Sequence, residues 1–210
     1  PGHEDPLAVP LKTDRSIDSA ADMRDKEERP EQVRLNGRGQ LVIAANKAGG
    51  HGRLEASLVK GRKRVSVEVW VTPTADGYTW SPVFDFMGGN DHFYYKYRTL
   101  TRHRAELVDD GHNEKVQRDV PSPAGRPVHI VVTYDQEGLD GKPLLASYFD
   151  GRLTGTLQTG INLSELALTE GRVGPFAGVF DELRIYDYPL SAAEVKGSFE
   201  AGPSKVRVAR

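Results

Sequence analysis

The sequence predicts an all-β fold, an antiparallel β-sandwich that ends in one short helix. Three observations predict it. Apolar residues alternate with period two in several segments, which is typical of strands with one face in a core. Asp-Gly pairs, typical of tight turns, follow some of these segments. Between the periodic strands no helical segment is indicated, and successive short strands without intervening helices favour antiparallel pairing.

The clearest strand follows Arg64. Its valines point to one side, and the residues between them (Ser66, Glu68, Trp70 and Thr72) point to the other. The same alternation recurs in Val128, Ile130, Val132 and Tyr134, and again in Val179, Asp181, Leu183 and Ile185. From these strands we predict that the following residues are almost fully buried: Val67, Val69, Val71, Ile130, Val132, Leu183 and Ile185.

The C-terminal helix has recognisable signals at both ends. Ser191 and Glu194 have the spacing of a capping box, and Leu190 and Val195 have that of a hydrophobic staple. The pair Gly202-Pro203 is typical of a helix end. The sequence therefore predicts a structural helix from Ser191 to about Ala201.

Several segments resemble a known family. The C-terminal ones are YFDGRL at 148–153, FAGVFDELRIY at 176–186 and LSAAEV at 190–195. Earlier segments in a matching order are VRLNGRGQLVIAA, VSVEVWVTP and RPVHIVVTYD. Over roughly 33–202 the chain resembles a laminin-G-like domain of the concanavalin A-like lectin/glucanase superfamily, which implies a jelly-roll sandwich. Because this fold serves lectins, glycanases and adhesion modules alike, the resemblance indicates a fold more than a function.

Three regions are expected. Residues 1–31 form a charged, flexible N-terminal arm or linker, 32–203 the sandwich domain, and 204–210 a basic tail. The net charge of −2 gives no general attraction for nucleic acid, and no apolar stretch is long enough to span a membrane. The resemblance implies an extracellular or periplasmic location.

Nothing in the sequence predicts catalysis. Glucanases of the superfamily that this chain resembles use carboxylates that alternate along one strand, as in Glu-x-Asp-x-x-Glu. The nearest candidates, Asp181 and Glu182, are neighbours on a strand and face opposite sides. The single carboxylate of Glu68, beside Trp70, is interpreted as a buried, hydrogen-bonded group. The chain has no Cys, and its six His lack the spacing of a zinc site.

The resemblance also implies a structural calcium ion between the first hairpin and the penultimate strand. Its ligands would include Asp181 and backbone carbonyls near Asn36, and oxygen ligands of this kind suit Ca²⁺. The sequence has Asn36 where an Asp is common, which lowers the local negative charge. The alternative is that Asp181 only accepts hydrogen bonds from the backbone at the edge of the sandwich.

One stretch carries the residue types of a sugar-binding surface. In the strand around Tyr94, we assign Phe93, Tyr95 and Tyr97 to the core. The opposite face then presents an aromatic and cationic surface that would suit an acidic or sulfated polysaccharide. It contains Tyr94, Lys96 and Arg98 together with Arg102 and Arg104. The predicted ligand-binding residues are Trp80, Asn90, Asp91, His92, Tyr94 and Arg98. The alternative is that this face is only solvated.

These observations favour a non-catalytic extracellular recognition module that binds carbohydrate. A second hypothesis is a structural or protein-interaction subunit of an extracellular or periplasmic assembly, for which the charged N-terminal arm is the only indication. An enzyme of an unrecognised type is the third.

Overall fold

The computed structural model describes residues 33–35, 40–43, 50–74, 80–99 and 101–203, without the side chains of 33–35 and 98. The arm predicted at 1–31 and the tail predicted at 204–210 therefore lie outside the described residues. Among the helices that are described, none is long and apolar enough to cross a membrane.

The described chain consists of thirteen strands and one α-helix. The first six strands are β1 (Val33–Leu35), β2 (Leu41–Ile43), β3 (Gly52–Leu54), β4 (Arg64–Pro73), β5 (Ser81–Gly88) and β6 (Asp91–Thr99). The next four are β7 (Arg102–Asp109), β8 (His112–Asp119), β9 (Val128–Asp135) and β10 (Leu144–Phe149). The last are β11 (Arg152–Gln158), β12 (Glu170–Val173) and β13 (Gly178–Tyr186), followed by helix α1 (Ala192–Ala201). Short 3₁₀ turns occur at Ala56–Leu58, Leu139–Gly141 and Leu163–Glu165.

The strands form two antiparallel sheets. One has seven strands in the order β1-β2-β13-β4-β9-β10-β11, and the other has six in the order β3-β12-β5-β6-β7-β8. The sheets enclose one large cluster of buried apolar side chains, as in a sandwich. Asp-Gly turns join β7 to β8 and β10 to β11, and Asp110 and Asp150 have φ of 43° and 49°. The all-β jelly-roll sandwich with one short C-terminal helix is confirmed.

The predicted direction of the core residues is correct. All seven residues predicted to be buried from the periodic strands are less than 5% exposed. Phe93, Tyr95 and Tyr97 also face the core, and the ring of Tyr97 stacks on that of Phe176 with centroids 4.6 Å apart.

One strand departs from the predicted alternation. A bulge at Asp181 in β13 shifts the register against β4 between Phe180 and Glu182. Phe180 therefore faces the core with Leu183, whereas Val179 and Asp181 remain partly exposed. A bulge adds one residue to a strand and so reverses the facing of every residue before it.

Helix α1 begins with the predicted capping box and covers the outer face of the seven-stranded sheet. The Ser191 side chain accepts from the Glu194 amide, and the Glu194 carboxylate accepts from the Ser191 amide. Leu190 and Val195 are both buried there, together with Tyr148 and Tyr186. Ser66, Glu68 and Trp70 were predicted to face away from the core. They do so and are buried as well, since β4 is covered on both faces, and the interpretation of Glu68 as a buried, hydrogen-bonded group is confirmed.

Candidate functional site

A cleft of about 430 Å³ lies on the face of the six-stranded sheet that points away from the core. It is built on three neighbouring cross-strand rows of β5, β6, β7, β8 and β12. The middle row is Arg172, Asp85, Tyr94, Glu106 and Lys115, each the register partner of the next. The row on one side is Pro82, Lys96, Arg104 and Gln117, and on the other Met87, His92, Val108 and Asn113. Most of these side chains, with Trp80, Asn90 and Gly111, line the cleft.

Trp80 is the exposed aromatic residue of this cleft. Its side chain remains 49% exposed, although large apolar side chains are usually buried. Its backbone has a φ of 61°, in the left-handed region that a bulky residue rarely adopts. Lys96 Nζ and Arg104 Cζ each lie 5.3 Å from the centroid of its ring, within cation-π range.

Glu106 forms ion pairs with two cations of the cleft. Its Oε2 lies 2.7 Å from Arg104 Nε, without the alignment of a hydrogen bond, and 3.6 Å from Lys96 Nζ. Lys96 Nζ donates a 2.6 Å hydrogen bond to the Tyr94 hydroxyl. Burial lowers the pKa of Lys96, and the charge of Glu106 opposes this effect. Burial also raises the pKa of Tyr94, and the neighbouring carboxylate of Glu106 reinforces this effect.

A second ion-paired group lies beside the first. Arg172 Nη2 donates to Asp85 Oδ2 at 2.7 Å, and His92 Nδ1 lies 3.0 Å from Asp85 Oδ1. The His92 ring meets the Tyr94 ring edge to face, with centroids 5.6 Å apart. The aromatic and charged side chains of this face are therefore held in fixed positions by their neighbours.

The structure brings together four of the six predicted ligand-binding residues: Trp80, Asn90, His92 and Tyr94 line the cleft. Asp91 lies next to it, but its carboxylate accepts backbone hydrogen bonds from Asp110 and Ala167 at 2.8 Å and 2.7 Å. These bonds lower the pKa of Asp91. The Arg98 side chain lies outside the described part of the chain. Binding by these six residues stays a prediction.

The predicted aromatic and cationic surface is less exposed than expected. Tyr94 and Arg104 lie on the predicted face but are mostly buried. The carboxylate of Glu106 holds the side chain of Arg104 against the sheet, and that of Asp85 holds Arg172 in the same way. Arg102 instead pairs with Asp119, with Nε and Oδ1 2.7 Å apart.

Sequence reasoning missed the side chains that other strands contribute, above all Asp85, Glu106 and Arg172. Alternation in β5 and β7 indicates that Asp85 and Glu106 face away from the core. Phe84 and Phe86 flank Asp85, and Ala105 and Leu107 flank Glu106. Their position beside Tyr94 depends on strand register, which that alternation does not specify.

The predicted calcium site is only partly described. Asp181 Oδ1 accepts a hydrogen bond from Gln40 Nε2, and Asn36 lies outside the described residues. The neighbouring Glu182 is engaged by Arg184 at 2.7 Å. Within the described ranges, no group of three or more His, Cys, Asp or Glu could hold a metal ion. Ca²⁺ takes about six to eight oxygen ligands, so Asp181 alone does not make a site, and calcium binding stays a prediction.

Comparison with known families identifies the superfamily of this domain. A laminin G family model, described as the concanavalin A-like lectin/glucanases superfamily, matches residues 46–196. The chain belongs to this superfamily. The match includes the strands that build the cleft and the first half of helix α1. No curated protein sequence matches the chain.

Solved structures with the same fold include domains that were studied with sugars. One is the Ruminococcus gnavus IT-sialidase CBM40 bound to alpha2,3 sialyllactose (TM-score 0.62, 15% identity, covering 75% of this chain and 95% of that chain). Another is domain 4 of an extracellular GH43 arabinanase from Geobacillus stearothermophilus, in complex with arabinotriose (TM-score 0.61, 18% identity, covering 79% of each chain).

A third similar structure is the receptor-binding domain of botulinum neurotoxin type G (TM-score 0.59, 13% identity, covering 80% of this chain). The matched region spans 44% of the length of that neurotoxin domain. At these identities the likeness concerns the fold.

Proposed function

We propose that this domain is a non-catalytic carbohydrate-binding module and that its ligand lies in the cleft beside Trp80. The observation that carries the proposal is the exposed Trp80 ring, held in a left-handed backbone conformation at a cleft lined by polar groups. Unusual backbone conformations persist where the surrounding structure holds them, and they cluster at ligand sites.

The chemistry of the cleft supports this function. An exposed indole offers an apolar surface to the apolar face of a sugar ring, and nearby amide, imidazole and cationic groups can bind hydroxyls. Asn90, His92 and Asn113 supply such groups in the same cleft, and Lys96 and Arg104 lie next to the Trp80 ring. The volume of about 430 Å³ lies within the ordinary range for small-molecule sites.

Two carboxylates on this face could suggest a glycosidase, but their surroundings favour binding over catalysis. Asp85 and Glu106 lie at the floor of the cleft and are nearly inaccessible. Asp85 is covered by Arg172 and His92, and Glu106 by Lys96 and Arg104. A substrate would have to displace these cations before either carboxylate could reach a glycosidic bond. As part of the same proposal, the module acts outside the cytoplasm, in an extracellular or periplasmic setting.

A glycan array followed by calorimetric titration tests the proposal. We expect saccharide binding without hydrolysis, and at least tenfold weaker binding by Trp80→Ala, the size of a binding hot spot. Leu153→Ala is the matched control, since Leu153 is similarly exposed on β11 and lies outside the cleft. Release of shorter sugars would contradict the non-catalytic assignment. The absence of binding to any glycan would favour a protein-interaction module instead.

A further inference from the structure

The cations of the cleft lie above its carboxylates. The side chains of Asp85 and Glu106 are 2% and 1% exposed, whereas those of Arg104, Lys96 and Arg172 are 9%, 14% and 29% exposed. The three cations exceed the two carboxylates by one formal charge. A ligand that enters the cleft therefore meets positive groups first.

These cations have hydrogen-bonding capacity that their neighbours do not use. Arg104 Nε and Arg172 Nε are buried, and neither has an aligned hydrogen-bond partner among the described residues. Lys96 Nζ donates to Tyr94 but lies 3.6 Å from Glu106, beyond a good hydrogen bond. Glu106 Oε2 lies 2.7 Å from Arg104 Nε, so a ligand meets the more exposed groups of these side chains, above all the ammonium of Lys96 and the guanidinium of Arg172.

Two of these cations lie close to Trp80. Lys96 and Arg104 are each 5.3 Å from the Trp80 ring centroid, so a sugar ring that packs against this tryptophan brings its substituents near both cations. A carboxylate or sulfate substituent would accept charge-assisted hydrogen bonds there, and these are stronger than bonds to hydroxyl groups.

Resting on the proposed function, we propose that the cleft selects glycans with an anionic sugar residue, whose acidic group binds Lys96 and Arg104 while its ring contacts Trp80. Arg172, at the Asp85 end of the middle row, extends the positive surface for the next part of the ligand. The shared chemistry is an anionic group on a sugar, and carboxylated and sulfated glycans are its two possible sources.

The test compares matched ligands by calorimetry on the full chain. The probes are trigalacturonate, the neutral galactotriose, a sulfated galactan oligosaccharide, and poly-glutamate as a polyanion without sugar. We expect one or both acidic oligosaccharides to bind at least about tenfold more tightly than galactotriose, with affinity falling as salt rises. Which of the two binds identifies the acidic group.

Two variants connect this selectivity to the cleft. Lys96→Gln should reduce the preference for the acidic over the neutral sugar about tenfold. Lys115→Gln, on the same sheet face but outside the cleft lining, is the control and should keep the preference. Thermal melts show whether each variant is folded.

Three outcomes would overturn the inference. Equal binding of neutral and acidic sugars would refute the selectivity but leave the carbohydrate-binding function in place. Poly-glutamate binding as tight as that of the acidic sugars would reduce the effect to general charge attraction. A failure of every glycan, across the array as well as these probes, would refute the proposed function and this inference with it.

Discussion

His129 Nε2 lies 2.7 Å from Glu68 Oε1, and both side chains are almost fully buried beneath helix α1. An ionised carboxylate only accepts hydrogen bonds, so Nε2 is the donor. Tyr186 and Ser198 also donate to the Glu68 carboxylate, and Arg184 Nη1 lies 3.3 Å from it. Ser198 belongs to α1, so this polar group ties the helix to strands β4, β9 and β13.

The first prediction concerns acid stability. Burial alone would raise the pKa of Glu68, but its hydrogen bonds and Arg184 outweigh burial and lower the pKa from 4.5 to about 2. The native state therefore binds this proton less readily than the unfolded state. The contribution of Glu68 is complete above pH 4.5 and is lost as the pH falls towards about 2. Denaturant titrations should show a loss of up to about 3 kcal/mol in this window.

The Glu68→Gln variant isolates that contribution. At neutral pH it should unfold more readily, because Arg184 loses a buried partner. Between about pH 5 and about pH 2 its stability should change less than that of the parent. If both proteins lose stability in parallel over this range, the acid sensitivity arises from other carboxylates.

The second prediction uses tryptophan fluorescence. The chain has two tryptophans, Trp80 at 49% exposure and Trp70 at 5%. A sugar that packs on Trp80 changes the environment of that indole alone. Trp70→Phe should therefore keep the fluorescence change on glycan binding, and Trp80→Phe should lose it. A signal that instead depends on Trp70 would place the ligand elsewhere.

The third prediction concerns the core. Val69 is completely buried in the centre of β4, so Val69→Asp places an unpaired carboxylate there. Such a group costs several kcal/mol, against a typical total stability of about 5–15 kcal/mol, and the domain should unfold. Arg64→Asp, at the exposed start of the same strand, is the control and should remain folded. An unchanged melting temperature for Val69→Asp would show that the facing of β4 is wrong.

The fourth prediction compares two substitutions in helix α1. Ser191→Ala removes the capping hydrogen bond to the Glu194 amide and should lower the free energy of unfolding by about 1 kcal/mol. Gly197→Ala should raise it by about 0.5–1 kcal/mol, since a Cβ there meets no neighbouring atom. Chemical denaturation measures both. Opposite shifts are expected, and an unchanged free energy of unfolding in both variants would indicate that α1 contributes little to global stability.

Local patterns in the sequence determined the fold class. The valines of β4, the aromatic residues of β6 and the capping box at Ser191 each occupy the predicted position. These features depend on the alternation of side chains along a strand and on hydrogen bonds within one helical turn. Both are properties of neighbouring residues.

Only the tertiary structure decided what covers each face and which strands meet. Helix α1 covers Trp70 on the outer face of β4, with Phe199 stacked on its ring, whereas period two alone would leave that face to solvent. Because of the bulge at Asp181, Phe180 faces the core, where strict alternation would place Val179. In the cleft, Asp85, Tyr94 and Glu106 become neighbours through the register of β5, β6 and β7. Alternation gives the facing of a residue, whereas register and coverage depend on contacts between distant segments, which local periodicity does not specify.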